Sequence, residues 1–413
     1  MSRKRRQQLI KEMMTHHKRN LLVLSITICL ASLSWTQIIP FLPKFLIQLG
    51  VRNNLTAWSA VVLGVQSIAG IVFMPFWGKL GDKYGRKPMV IRAGFCLSGI
   101  YIGMFFCSEP WHLALLRFLN GMLTGFLPGS YALIATNTPT KKAGRYVAIA
   151  QSAAAIGTIA GPIAGGILAD LVGIRGTMLV SGSFVFLSTI AVAVLVREPN
   201  RSRAIDHTTL IEDFVTCGRD PALRYVMVHN WTNAIIVGAV ASTLIIHLSH
   251  IGPFLPSSAQ GAIFAIPGVL MALLALRWVK VGERLSFRRV ITISLLGTGF
   301  FYVVMGLSRN VWMFIPAFAF CRVFATALIP TLSAIIASDV TPEFRGRAFG
   351  IQTSVGTMGD LTAQAMVASI GQFFGIHSLY VFIGIGVFLL GMWNHLVRVR
   401  MMGLVTRQQI VID

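Results

Sequence analysis

Twelve long apolar runs divide this chain of 413 residues, and they leave it few folds to choose from. They cover roughly residues 20–48, 56–77, 89–107, 111–136, 144–171, 175–196, 224–250, 257–279, 289–307, 311–337, 346–373 and 376–397. A helix needs ~20 such residues to cross the hydrocarbon core, where lipid offers backbone polar groups no partner. Hydrophobic residues make up 55% of the chain and charged residues only 12%, against roughly 25% in a soluble domain. The expected fold is an all-α membrane protein of twelve transmembrane helices.

The net charge of +22 would suit a nucleic-acid binder, but the cations sit in short clusters between apolar runs, so no nucleic-acid partner is expected. Residues 1–19 form a basic tail. Alternate connections then carry Lys79–Arg92, Lys141–Arg145, Arg197–Arg224, Arg277–Arg289, Arg345 with Arg347, and the Arg398–Arg407 tail. The opposite set offers only Lys44, Arg52, Arg175 and Arg309. Cytoplasmic loops retain Lys and Arg, so both termini and the central loop are expected in the cytoplasm of a bacterial inner membrane. The basic loops there should meet anionic lipid headgroups. The basic head and the apolar run from Leu21 mimic a secretory signal peptide, but "WTQIIPFLPKFL" continues the run without a cleavage pattern. It reads as a retained first helix.

Residues 197–223 are polar and separate six helices, 20–196, from six more, 224–398, with 399–413 as a second tail. The halves match each other weakly. "WGKLGDKYGRKPMVI" pairs with "RWVKVGERLSFRRVI", and "TPTKKAGRYVAI" with "TPEFRGRAFGI". Asp82 falls on Glu283, 201 positions later (283 − 82), and Gly144 on Gly346, 202 later (346 − 144). A near-constant offset indicates two pseudo-symmetric bundles, and such repeats place a transporter's substrate near the midplane.

"GKLGDKYGRK", residues 78–87, sets Asp82 among four cations, with glycines at Gly78 and Gly85. The glycines allow tight turns, and Asp82 can pair with an Arg or cap a helix. A solvated positive loop would explain the cations but not the glycine spacing. In the fifth run, Gly157, Gly161 and Gly165 recur every four residues and Gly166 follows, baring one helix face, while Pro162 removes a backbone bond. Such faces also occur as ordinary packing.

Ionisable groups inside spans are few. Arg117 lies several residues inside the fourth, in Leu113-x-x-x-Arg117-x-x-Asn120-Gly121-x-x-x-Gly125, where it faces the interior or snorkels outward. Asp360, near the middle of the eleventh, is a candidate proton carrier with Arg322 available for pairing; a static Arg322–Asp360 pair is the alternative. Gln37, Asn120, Asn233, Gln352 and Thr357 are candidates for a substrate cavity. The five cysteines show no ligand spacing, and no G-x-S-x-G, H-E-x-x-H or P-loop pattern occurs. Neither a metal, a cofactor nor an enzymatic activity is expected.

These motifs, in this order, resemble the major facilitator superfamily over roughly residues 20–398, and within it the drug:proton antiporters, including bacterial multidrug pumps. The resemblance implies a cytoplasmic latch at Gly78, Asp82, Gly85, Arg86 and Lys87. It makes Gly157, Gly161, Pro162, Gly165 and Gly166 an antiporter motif, and ties Arg117 to proton coupling. Asn120 stands where the family has Gln, and the second copy of the latch is degraded at Ser286 and Phe287. The first six helices lack the mid-span Asp or Glu that many such antiporters carry, which leaves the proton-bearing residue open. The implied activity is secondary export of a small molecule in exchange for protons, by a monomer. A dedicated metabolite or siderophore exporter is the alternative, and a scaffold or channel a more distant one.

Overall fold

The computed structural model describes residues 3–123, 125–138, 140–198, 210–252, 255–340 and 342–410, and all regular elements among them are helical. Helix α1 (Arg3–Ile38) passes through a tight turn at Ile39–Phe41 into α2 (Leu42–Gln48), where Pro40 and Pro43 interrupt the backbone ladder. Helices α3 (Leu55–Tyr84), α4 (Arg86–Phe105), α5 (Pro110–Leu123), α6 (Phe126–Thr136) and α7 (Thr140–Leu195) follow. An unbroken helix of 56 residues would be about 84 Å long, far beyond the ~30 Å hydrocarbon core. Gly173, with φ 75° and ψ 167°, breaks α7 into two spans.

Helix α8 (Leu210–Arg219) sits in the polar central stretch. Asp220 then caps α9 (Pro221–Ile251), accepting the amides of Ala222 at 2.8 Å and Leu223 at 2.9 Å, with Pro221 where no amide is needed. The remainder comprises α10 (Ser257–Leu285), α11 (Phe287–Leu307), α12 (Val311–Ala325), α13 (Leu328–Asp339), α14 (Pro342–Met366) and α15 (Gly375–Ile410). Among the described residues ten stretches are long and apolar enough to span a bilayer, one of which holds both pieces of α7. Helix α14 dilutes its apolar residues with Gly, Thr, Gln and Asp360 and falls outside that set. Counting both gives the twelve spans expected.

The chain forms two compact units, Met1–His207 with Leu255–Ala265, and Thr208–Phe254 with Ile266–Asp413. In the first, α7 packs along α1 and α4 over a core that includes Leu24, Ile28, Val90, Phe126, Leu133 and Val192. In the second, α15 packs on α11 and α14 on α9, around buried Tyr302, Phe314, Phe318 and Tyr380. Large side chains point outward, with Trp312 87% and Leu276 77% exposed. Such exposure fits a lipid-facing exterior, where apolar atoms need no cover.

One feature of each unit is invisible in the hydropathy. In the fourth apolar run Gly125, at φ +128°, interrupts the helix ahead of α6, and in the tenth α12 and α13 meet at Thr326–Ala327, where the backbone stays right-handed helical. The two points lie 201 residues apart (326 − 125), close to the offset of the sequence repeat.

Candidate functional site

The glycine–arginine–lysine stretch after α3 is a helix junction. Gly85, at φ +104°, leaves α3 in a conformation that L side chains rarely adopt, and α4 starts at Arg86. Glu198, just beyond α7, accepts the backbone N–H of Arg86 at 2.8 Å and of Lys87 at 3.0 Å. Lys87 returns its Nζ to the Ala193 carbonyl at 2.7 Å. Asn20 and Arg197 exchange two hydrogen bonds alongside, at 2.7 and 3.1 Å. The guanidinium of Arg92 stands 3.3 Å over the Trp77 ring, whose Nε1 donates to the Met122 carbonyl at 2.6 Å. The surroundings of Gly78 and the side chain of Asp82 lie outside the described residues.

The glycine face of α7 meets backbone at each position. A Cβ at Gly157 would overlap the Cys29 carbonyl, at Gly161 the Thr36 hydroxyl and Leu33 carbonyl, and at Gly165 the Gln37 carbonyl, all in the first apolar run. Gln37 is fully buried there and donates its amide to the Ser181 hydroxyl. A Cβ at Gly166 would instead overlap the carbonyl of Ser257, and one at Gly261 the carbonyl of Pro162. The first turns of α10 thus belong to the N-terminal unit. Asp170, next on α7, accepts the amides of Ser257 at 3.0 Å and Ser258 at 2.8 Å, and Lys44 donates to the Ser257 hydroxyl at 3.2 Å. An anion at the start of α10 suits the helix dipole.

Arg117 faces the interior of its unit and is 1% exposed, so it does not snorkel. Its Nη1 donates to Gln66 Oε1 at 2.9 Å, while Nε and Nη2 have no partner. Asn120 and the Tyr101 hydroxyl, also buried, lie against each other beside Arg117 without a well-formed bond to any other group. Leaving a buried polar group unpaired costs ~1–3 kcal/mol, more for a charge. Near the α5–α6 break lies a cavity of about 240 Å³, lined by Ser32, Trp35, Leu97, Phe126, Pro128 and Thr158 among others.

In the C-terminal unit, Asn230 donates to the Gln352 carbonyl at 2.7 Å, and Ser242 to Gln364 Oε1 at 2.5 Å. These bonds tie α9 to α14. Half-buried Asp360 lies in the same seam against Gly238, whose Cβ would stand 3.1 Å from its Oδ1. Asn233 is buried on α9; Thr357 turns its hydroxyl to the Thr353 carbonyl at 3.2 Å. Arg322 stands 5.4 Å over the Phe318 ring, and among the described residues no ion pair joins it to Asp360.

A model of the family described as the Major Facilitator Superfamily matches residues 24–258 and 226–401. The chain belongs to that superfamily. Multidrug resistance protein MdtG of Proteus mirabilis is 28% identical over 378 residues, 90% of this chain and 94% of that protein. MdtG of Salmonella typhimurium is 27% identical over 394 residues, 93% and 97% of the two chains. Among solved structures, a bacterial homologue of the human lysosomal transporter Spinster, inward-facing and occupied, superposes with a TM-score of 0.76 at 14% identity, covering 93% of this chain and 97% of that one. A peptide transporter, POT, gives 0.76 at 13% identity over 92% and 94%. These two likenesses are of fold.

Non-helical backbone at membrane depth is tolerated only inside protein or beside a cavity. The break at Gly125 has such a cavity. Trp35 lines it. Glu198 and Asp170 escaped the sequence reading because each serves a helix start far along the chain, 112 and 88 residues away. A lone acid among bases, as in "REPNRSR", was the available signal for Glu198.

Proposed function

We propose that this superfamily member is a secondary active exporter of small amphipathic molecules, moving them out across a bacterial inner membrane in exchange for protons. The cavity beside the α5–α6 break carries the reading. Its walls are Trp35, Phe126, Leu97 and Pro128, with the hydroxyls of Ser32 and Thr158 and the indole N–H of Trp35 as the side-chain polar groups among these residues. Such a surface rewards ring burial, at about 25 cal/mol per Å², without demanding a matched set of hydrogen bonds. That favours a range of drug-like compounds over one polar metabolite, and the multidrug resistance names of the MdtG relatives support the same choice. At about 240 Å³ the cavity falls below the ~300 Å³ of small ligand pockets, so it takes one ring system of a larger substrate.

Arg117 and Asp360, with Arg322, are the groups proposed to couple export to protons. The Gly78–Lys87 junction acts as a cytoplasmic latch, and the glycine face of α7 as a close-packed seal. Both termini are cytoplasmic, and the protein works as a monomer. Binding of a lipophilic cation such as ethidium tests the cavity. Aromatic contacts are worth ~0.5–1.5 kcal/mol, so Trp35→Ala should weaken affinity roughly two- to tenfold. Unchanged affinity in a folded Trp35→Ala protein would contradict the assignment.

A further inference from the structure

The cavity of the N-terminal unit abuts the start of a helix. Gly125, Phe126, Leu127 and Pro128 line it, and they are the N-cap and first three residues of α6, which runs for 11 residues. The N-cap is a glycine, so no side chain satisfies the free amides of that turn. Gly129 donates to the Gly125 carbonyl at 2.9 Å, and Pro128 has no N–H. Among the described residues nothing accepts from the backbone N–H of Phe126 or Leu127. In an unbroken helix they would bond to carbonyls four residues back, in α5. Gly125, at φ +128°, turns the chain out of that path.

A second, independent donor is unpaired at the same place. Ser32 of α1 lines the cavity and is 4% exposed, and its hydroxyl has no hydrogen-bond partner. A helical Ser or Thr can return its hydroxyl to a carbonyl one turn back, as Thr158, another lining residue, does to Ala154 at 3.0 Å. Ser32 keeps its O–H, which turns about a single torsion. Trp35, one turn on along α1, adds its indole N–H.

The wall therefore offers donors, and no residue lining it carries a carboxylate. The helix N-terminus adds roughly half a positive charge. Arg117, less than two turns before the end of α5, has the same sign. Aromatic faces such as Trp35 and Phe126 also attract cations, but more weakly than several donors attract an anion through charge-assisted hydrogen bonds.

From this geometry we infer that the cavity holds the acceptor head of its substrate, a carboxylate or similar anion, against the first turn of α6 and Ser32. The ring of the same molecule lies on Trp35 and Phe126. The inference rests on the export reading above and adds a substrate class to it, amphipathic organic acids ahead of cations. One compact acceptor group is shared by many drug-like molecules, so the range of substrates stays broad. A cation such as ethidium is held by its rings alone.

Three ligands with one ring system and different heads test this: naphthoate, naphthylmethanol and naphthylmethylammonium. Each is titrated at neutral pH into the purified full-length protein in nanodiscs of zwitterionic lipid, with empty nanodiscs subtracted. Naphthoate is expected to bind tightest, at least about tenfold ahead of the ammonium. Ser32→Ala removes a hydroxyl that no partner holds, so the fold is expected to survive. It should weaken naphthoate about tenfold and leave the ammonium unchanged. An ammonium that binds as tightly as naphthoate overturns the inference, and so does an equal effect of Ser32→Ala on both. Trp35→Ala separates the two levels of the argument. Unchanged affinity for all three ligands in that variant defeats the cavity reading. Weakening of all three, with no preference for the acidic head in the wild-type protein, defeats this inference alone.

Discussion

Glu198 closes the amino end of α4 by accepting the backbone N–H of Arg86 at 2.8 Å. A second bond, to Lys87 at 3.0 Å, makes the carboxylate a two-pronged cap. It ties the end of α7 to the start of α4, so the junction between α3 and α4 cannot shift without breaking it. A helix cap is worth ~0.5–2 kcal/mol. Glu198→Ala should therefore lower the midpoint of thermal unfolding in detergent, and Glu198→Asp should recover part of the loss. A wild-type midpoint in Glu198→Ala would show that the junction holds by other contacts.

The glycine face of α7 is predicted to be intolerant even of a methyl group. A Cβ at Gly161 would meet the Leu33 backbone, which has no rotamer to retreat into. Overpacking of this kind costs ~1–3 kcal/mol. Gly161→Ala should reduce folded yield and export. Gly99→Ala, on α4 with nothing within 4 Å of the added carbon, should leave both unchanged. Equal behaviour of the two variants would mean that the α1–α7 contact is looser than this packing implies.

Asp170 anchors the first turn of α10 through Ser257 and Ser258. An anion at a helix N-terminus contributes ~0.3–1 kcal/mol, and up to ~2 where partly buried. Asp170→Asn keeps an acceptor oxygen but removes the charge. Amide hydrogen exchange at Ser258 and the turn that follows should speed up about two- to thirtyfold, the range those energies allow. Unchanged protection would show that Lys44 and the Gly166 contact suffice.

Arg117 is held by Gln66 alone, with the rest of its guanidinium unpaired and buried. If it couples export to protons, Arg117→Gln should still bind ethidium and pass it downhill but lose uphill accumulation at least tenfold. Arg117→Lys should not restore it, because a lysine lacks the planar fork of donors. The comparison of downhill with uphill flux decides the matter. Equal loss of both would make Arg117 a structural residue.

Much of the architecture was legible in the sequence because the bilayer imposes it. Runs of apolar residues longer than the hydrocarbon core can only be spans, and α14 was found despite its polar content because its neighbours framed it. The glycine face was legible too, since its spacing matches the helix repeat. The break at Gly125 was not, because Gly is ordinary inside apolar runs and only its backbone angle, φ +128°, reveals it. Glu198 and Asp170 act at a distance along the chain, and their loops resemble any polar connection.

Proton-driven export is tested most directly in proteoliposomes containing the purified protein, with a pH gradient imposed across the membrane. Uptake of a set of cationic, neutral and anionic lipophilic dyes is followed as the gradient is applied and then collapsed by an ionophore. The expected result is accumulation of several chemically distinct amphipathic dyes against their own gradients, towards the more acidic side, and its collapse with the pH difference. Accumulation indifferent to the pH gradient, or restricted to a single compound, would contradict the exporter described here.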